Sequence, residues 1–531
     1  MGMSRRQFVR RVSVGGGTGA AYSAMMALGL LAPSTASAGP PALPADAGRG
    51  AHVVVLGAGM AGLVSAYELE RAGFRVTVLE ARTRVGGRSW SIRGGDRIEM
   101  IGEPDQIAGF SEGLYMNAGP ARLPSHHQGM LGYAKALGVP LEVEVNASRS
   151  ALLPSPGGGA IQQRQAANDT RGYVSELLAR ALNKGALDAD LTMEDRQRLV
   201  DFLKLYGDLK PDFAYRGSER SGYAVTPGAG DQVGRGRDPI SLSDLLRHDQ
   251  LATIVFEDNI VMQATMFQPV GGMDRIPAAV ARAIRSPIHL GAEVQTIRGD
   301  EHGVSVTWRR RADGAQRLVQ ADYAVVTIPL PVLARIDTNL SAPVKAAVAG
   351  SVYDHANKLG FEAPRFWERQ QIYGGVSFTG GDNGLVWYPS AGMHTERGML
   401  LAVYNTGRMA EAFAARPLPE QIARARAAVE AIHPGDGASL GSPVAINWRK
   451  IPYNLGPWLH WGVEGGEASV NDPAAYALLN RPDGRIYLSG AHLSQLPSWQ
   501  EGAVLAAHRT VGELCSRVAA SAATEPQRRQ A

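Results

Sequence analysis

Gly57, Gly59 and Gly62 follow directly on an apolar run at residues 53–56, and the acid Glu80 comes 18 positions after Gly62. That spacing suits a phosphorylated dinucleotide. Gly57 permits a tight turn, Gly59 lets a pyrophosphate approach the backbone, and Gly62 lets a helix pack closely on a strand. The phosphates then meet the free amides of a helix N-terminus, at Met60 and Ala61. A carboxylate at Glu80, with Ala81 behind it, can accept from ribose hydroxyls and disfavours a 2′-phosphate. Glycine turns also arise for packing alone, but here the strand, the helix, a second strand over residues 76–79 and the acid all fit. Arg82 and the run Arg84-Val85-Gly86-Gly87-Arg88 come next. Its glycine pair can offer amides to phosphate, and Arg88 can add a charge-assisted contact. A glycine hairpin with solvated arginines is the competing reading of that run taken alone.

These residues need a sheet and helices to hold them, and 531 residues can bury a large core in two or three domains. Arg5, Arg6, Arg10 and Arg11 are the only charges before Gly39. Without them the chain has 50 basic and 50 acidic residues, so its formal charge of +4 is no argument for nucleic-acid binding. Ser4 to Arg10, SRRQFVR, has the twin-arginine pattern. A Gly/Ala-rich apolar stretch and the small-residue run Ala36-Ser37-Ala38 follow. We read residues 1–38 as a cleaved leader, which implies export through the twin-arginine machinery to the periplasm or medium. No other stretch approaches 18 unbroken apolar residues, so no stable membrane anchor is expected. The single cysteine, Cys515, excludes an internal disulfide, and His126-His127 reads as structural, so no metal is expected.

Along the chain, residues 39–50 form a Pro/Ala/Gly linker. Helical periodicity dominates residues 170–261 and marks a helical insertion, interrupted by a glycine-rich loop at 217–236. Strand patterns are expected at 288–297 and at 304–309 with 317–327, a buried strand ending at prolines over 321–331, and a second sheet from runs at 358–362, 372–377, 385–388 and 399–403. The expected architecture is α/β. A discontinuous Rossmann-type domain takes residues 51–125, 266–343 and 480–518; its two successive glycine motifs resemble those of the glutathione-reductase-like FAD enzymes, which implies that it binds FAD. A mixed-sheet substrate domain takes 126–165 and 344–479, a helical domain 166–265, and a disordered tail 519–531.

With those landmarks in order, the chain resembles the flavin amine oxidase family, and within it the L-amino-acid oxidases. The matching elements are the two glycine motifs, GPARLP at 119–124, QPVGGMDRIP at 268–277, GAEVQTI at 291–297, NKLGF at 357–361 and the C-terminal YLSGAHLS and SWQEGAV. The resemblance implies FAD, with Val294 at the adenine. It places Ala121 and Arg122, and then Gly490, Trp499, Gln500 and Ala503, along the rest of the cofactor. The covalent members' cysteine is replaced by Gly456-Pro457-Trp458, so the FAD is expected to be noncovalent. The usual acid after the C-terminal glycine is Ala491 here, at a cost of roughly 1–3 kcal/mol for one charged hydrogen bond.

The resemblance also assigns roles at the substrate. Arg122 would bind a carboxylate bidentately, against a structural salt bridge as its alternative. Tyr388 would assist, against a packed strand aromatic. Lys358 would hold a water near the flavin and act catalytically, against a surface lysine. Trp458 and Trp499 would flank the amine, with Ser498 beside them and Trp461 as the rival to Trp458. The implied reaction takes an L-amino acid and dioxygen to a 2-oxo acid, ammonium and hydrogen peroxide. Alternatives are an oxidase of amines lacking a carboxylate, an amino-acid 2-monooxygenase and a noncatalytic flavoprotein. A homodimer is compatible with the resemblance.

Overall fold

The computed structural model describes residues 43–459, 461 and 472–528. The leader and the first residues of the linker lie outside them. Three apolar strands, β1 (His52–Leu56), β2 (Arg75–Glu80) and β3 (Ile288–Leu290), join β4 (Tyr323–Val326) and β5 (Ile486–Leu488) in one parallel sheet. Its order is β3-β2-β1-β4-β5, so the centre is built from chain segments far apart in sequence. Both faces are covered, which is why β1 and β4 read as continuous apolar runs rather than alternating ones.

One face packs on helix α1 (Met60–Arg71) and helix α2 (Gln500–Arg528), with Leu63, Val64, Leu69, Val504, Val511 and Leu514 in the shared core. The other face packs on a mixed sheet that contains the strand Ala292–Gly299, antiparallel to Val304–Arg310 and parallel to Asp337–Thr338. Gly291, at φ +69°, turns the chain between the two sheets. The strand expected over 288–297 is therefore two strands, Ile288–Leu290 and Ala292–Gly299. The run expected over 317–327 likewise splits at Asp322 into Gln316–Ala321 and β4. Helix α2 continues through Arg528, past residue 518 where the ordered chain was expected to stop. Alanines at 519, 520, 522 and 523 propagate a helix already nucleated by packing.

A second large sheet contains the strand Ala356–Pro364, antiparallel to both the central strand Arg397–Thr406 and the edge strand Gly441–Asn447. The helices Gln163–Asn183 and Met193–Gly207 pack on each other through Ala179, Leu182, Val200 and Leu203. Thr192 caps the second of them by accepting from the Asp195 amide. The loop at 217–236 contains a short hairpin, Tyr223–Val225 with Arg235–Gly236.

Candidate active site

A cavity of about 530 Å³ runs from the carboxyl ends of β2, β4 and β5 to the second sheet. Helix α1 begins there at Gly59 with no side-chain cap and no acid in its first turn, so its first amides are free for an anion. Gly57 sits at φ +105°, and a Cβ on Gly62 would lie 1.9 Å from the Gly57 carbonyl oxygen. No larger residue fits at Gly62. Gly59 differs: a Cβ there would meet only the Gly87 Cα, at 4.0 Å. The second glycine motif folds onto the first, with Gly59 bridged to Gly86 and the Gly86 amide donating to the Ala58 carbonyl at 2.8 Å.

Glu80, at the end of β2, accepts from the amides of Ala58 and Arg82, both at 2.8 Å, which fixes its carboxylate on the cavity wall. The Arg82 guanidinium donates to Pro452 O and Asn454 Oδ1, both at 2.5 Å, and Arg88 donates to Pro457 O. Both arginines are buried enough to lower their pKa, and both tie the glycine motif to the 452–458 loop. The donors present fit an adenine dinucleotide: a bare helix N-terminus, glycines where a phosphate must approach, and a preset carboxylate.

At the other end of the cavity, Lys358 Nζ donates to the carbonyls of Asn117 (3.0 Å) and Gly119 (2.5 Å) and faces the rings of Tyr404 and Trp387 at 5.1 and 5.3 Å. Burial, helped by Arg122, pulls its pKa down to about 7. A Cβ on Gly119 would lie 2.0 Å from the Arg88 carbonyl oxygen, so only glycine brings the Gly119–Arg122 turn this close to the cofactor motif. Arg122 stacks on Trp387 at 4.6 Å, with Phe256 at 5.8 Å, and donates to Asn146 Oδ1. No carboxylate among the described residues lies within 4.0 Å of it; Glu144 acts on it from farther away. Trp458, Trp499 and Ser498 line the cavity, whereas Trp461 does not and instead donates to His492 O.

Of the residues read from sequence, the cavity gathers Gly57, Gly59, Met60, Ala61, Glu80, Ala81, Arg82, Gly87, Arg88, Val294, Lys358, Gly490, Ser498, Trp499, Gln500, Ala503 and Trp458. Gly62 lies behind it in the helix–strand contact, Ala121 faces a neighbouring cavity, and Arg122 lines neither cavity but lies behind Trp387 and near Lys358. Tyr388 is a correction. It is fully buried, its hydroxyl paired with Ser377 Oγ (2.9 Å) and His433 Nε2 (2.7 Å) in the core beside Trp367. Successive strand residues face opposite sides, so the one pointing at Arg122 is its neighbour Trp387. Trp387 and Tyr404 were missed in the sequence, although their strands were expected; strict alternation out from Lys358 and its strand partner Tyr404 would have found the latter. Asn146 and Asn454 carried no sequence signal. His127 stands edge-on to Trp499 at 4.9 Å, and no metal-binding group of three occurs among the described residues.

Residues 60–515 match the family model described as flavin containing amine oxidoreductase. A putative L-amino-acid oxidase, YobN, of Bacillus subtilis is 26% identical over 477 residues, covering 87% of this chain and 94% of its own. The flavin-dependent L-tryptophan oxidase RebO of Lentzea aerocolonigenes is 29% identical over 489 residues, covering 86% and 97%. Among solved structures, a putrescine oxidase variant superposes with TM-score 0.59 at 18% identity, over 88% of this chain and 99% of the other. Cyclohexylamine oxidase from Brevibacterium oxydans gives 0.57 with the same coverage and identity. At that identity the structures speak for the fold.

Proposed function

The chain belongs to the flavin containing amine oxidoreductase family, and on that footing we propose that it oxidatively deaminates an L-amino acid to a 2-oxo acid, ammonium and hydrogen peroxide. Its cofactor is FAD, held without a covalent bond: the one cysteine, Cys515, is buried between α2 and the sheet, and residues 456–458 offer no thiol. Bound in the cavity, FAD supplies the two-electron chemistry that turns the amine into an imine and passes the electrons to dioxygen.

The observation that carries the substrate class is Arg122. A buried structural arginine normally has a carboxylate at contact distance, because an unpaired buried charge is costly. This guanidinium has a neutral amide and an aromatic face instead. An incoming carboxylate would complete it bidentately, and Trp387 would hold the plane of the fork. Lys358, held by two carbonyls and with its pKa near 7, is placed to keep or release a proton at Nζ beside the reacting amine. The walls from Trp458 and Trp499 orient the substrate and exclude water.

A second reading, an amine without a carboxylate, draws on Glu144, which exerts the attraction on Arg122 that a structural partner would. Anaerobic bleaching of the flavin by L-amino acids, D-amino acids and simple amines separates the two. Reduction by L-amino acids supports the proposal, and reduction by simple amines alone sinks it. The proposal includes export of the folded holoprotein, on the strength of the motif at residues 4–10. Fractionating cells and sequencing the mature N-terminus would test that; an intact leader in the cytoplasmic fraction would refute it.

A further inference from the structure

A second cavity, of about 540 Å³, shares no lining residue with the cofactor cleft, though the two meet at residues 117–121. Ala118, Gly119 and Pro120 line the first, Asn117 and Ala121 the second. The wall of the second contains three buried polar groups without a hydrogen-bond partner: both oxygens of Glu144, the Tyr115 hydroxyl and the Trp387 indole nitrogen. Glu144 is 3% exposed, and the Trp387 indole lies beside its carboxylate. A carboxylate at that depth, with only an indole N–H beside it and no cation in contact, is expensive unless something completes it.

Arg122 attracts Glu144 from beyond contact distance, and the two cations of the wall itself are committed elsewhere. Arg365 donates to Glu368, Thr395 and the carbonyls of Ala391 and Arg397, while Arg397 is paired with Glu362. Glu142 is occupied by Gln268 at 3.0 Å. Glu112 and Glu396 stand exposed at the rim, so Glu144 is the buried carboxylate of this wall, and an indole and a phenol share its cavity. Carboxylate and aromatic rings together select an ammonium rather than a metal ion, which would need more hard ligands than this wall has. Leu114, Met116, Met399 and Leu401 supply an apolar remainder.

We propose that this cavity binds an organic ammonium on an apolar body, with the charge on Glu144 and the rings of Trp387 and Tyr115 about it. The site is separate from the one where the amine is oxidised. Trp387 also stacks on Arg122 and faces Lys358, so occupancy here is coupled to the catalytic cleft. Burial pushes the Glu144 carboxyl up to about 7, and a bound cation would favour its ionised form.

The probe is 2-phenylpropan-2-amine, which has no hydrogen on the carbon bearing nitrogen and so cannot be oxidised to an imine. Calorimetry and flavin absorbance are followed together on the holoenzyme. The expected result is a binding event with no matching flavin change, weakened at least tenfold in Glu144→Gln. The neutral analogue 2-phenylpropan-2-ol should bind the wild type at least tenfold more weakly, a comparison that needs no variant to fold. The proposal is overturned by any of three results: no binding at millimolar probe, equal affinity for amine and alcohol or for wild type and Glu144→Gln, or binding that always tracks the flavin spectrum.

Discussion

Lys358 shows how one buried side chain sets both chemistry and stability. Its ammonium titrates at about 7 when folded, against 10.5 in open chain, because burial and Arg122 penalise the charge. Between those values the unfolded chain binds the proton and the folded one does not. Stability is therefore lowest below pH 7 and recovers as the pH rises toward 10.5. Thermal melts of wild type and Lys358→Met at about pH 6 and pH 9 should show the difference moving in favour of the lysine at the higher pH. A difference independent of pH would mean that Lys358 is not perturbed. The same substitution should remove any inflexion near pH 7 from the kcat/KM profile. Gly57 and Glu80, which line the cofactor cavity, could be read from sequence because their residue types are tied to one chemical task, and the role proposed for Arg122 rests on the same tie. Trp387 and Asn146 could not, since an indole or an amide has no such tie until a fold sets it beside a guanidinium.

The strand Gly384–Trp387 shows what local pattern conceals. The run VWYP offered two adjacent aromatics, and a one-residue difference in facing decides which meets Arg122 and Lys358. Tyr388→Phe should leave kcat/KM within about twofold while costing about 1–3 kcal/mol, because Ser377 and His433 lose a buried partner. Trp387→Ala should cut activity at least tenfold with FAD retained, since Arg122 loses its stacking face. Steady-state rates with thermal melts distinguish the two; activity lost in Tyr388→Phe alone would reverse the assignment. The turn before α1 makes a similar contrast. Gly62→Ala has no room and should fail to yield stable protein. Gly59→Ala has room in the protein, but its methyl enters the phosphate approach, so it should fold and purify with less flavin. Equal flavin content in Gly59→Ala and wild type would contradict that placement.

Across the molecule, the cofactor sheet takes β5 and α2 from the end of the chain and β1 from its beginning, so the cleft exists only when distant segments have closed on each other. The glycine and acid motifs made that sheet legible in the sequence. The break at Gly291 was hidden, because the strand pattern carries on across a change of sheet, whereas the buried strand expected over 321–331 contains β4. Noncovalent cofactor binding predicts that acid precipitation leaves all the flavin in the supernatant; yellow colour pelleting with the protein would contradict it. The two cavities, the carboxylate-free Arg122 and the aromatic walls all concern which amine the protein accepts. The most direct test compares kcat/KM, from peroxide release, for an L-amino acid and for its decarboxylated amine, in wild type and in Arg122→Ala. Wild type should favour the amino acid, and the substitution should cost it about 2–5 kcal/mol, at least roughly 30-fold, while leaving the amine nearly unchanged. An equal loss for both substrates, or a wild type that favours the amine, would make Arg122 a structural residue and the protein an oxidase of simple amines.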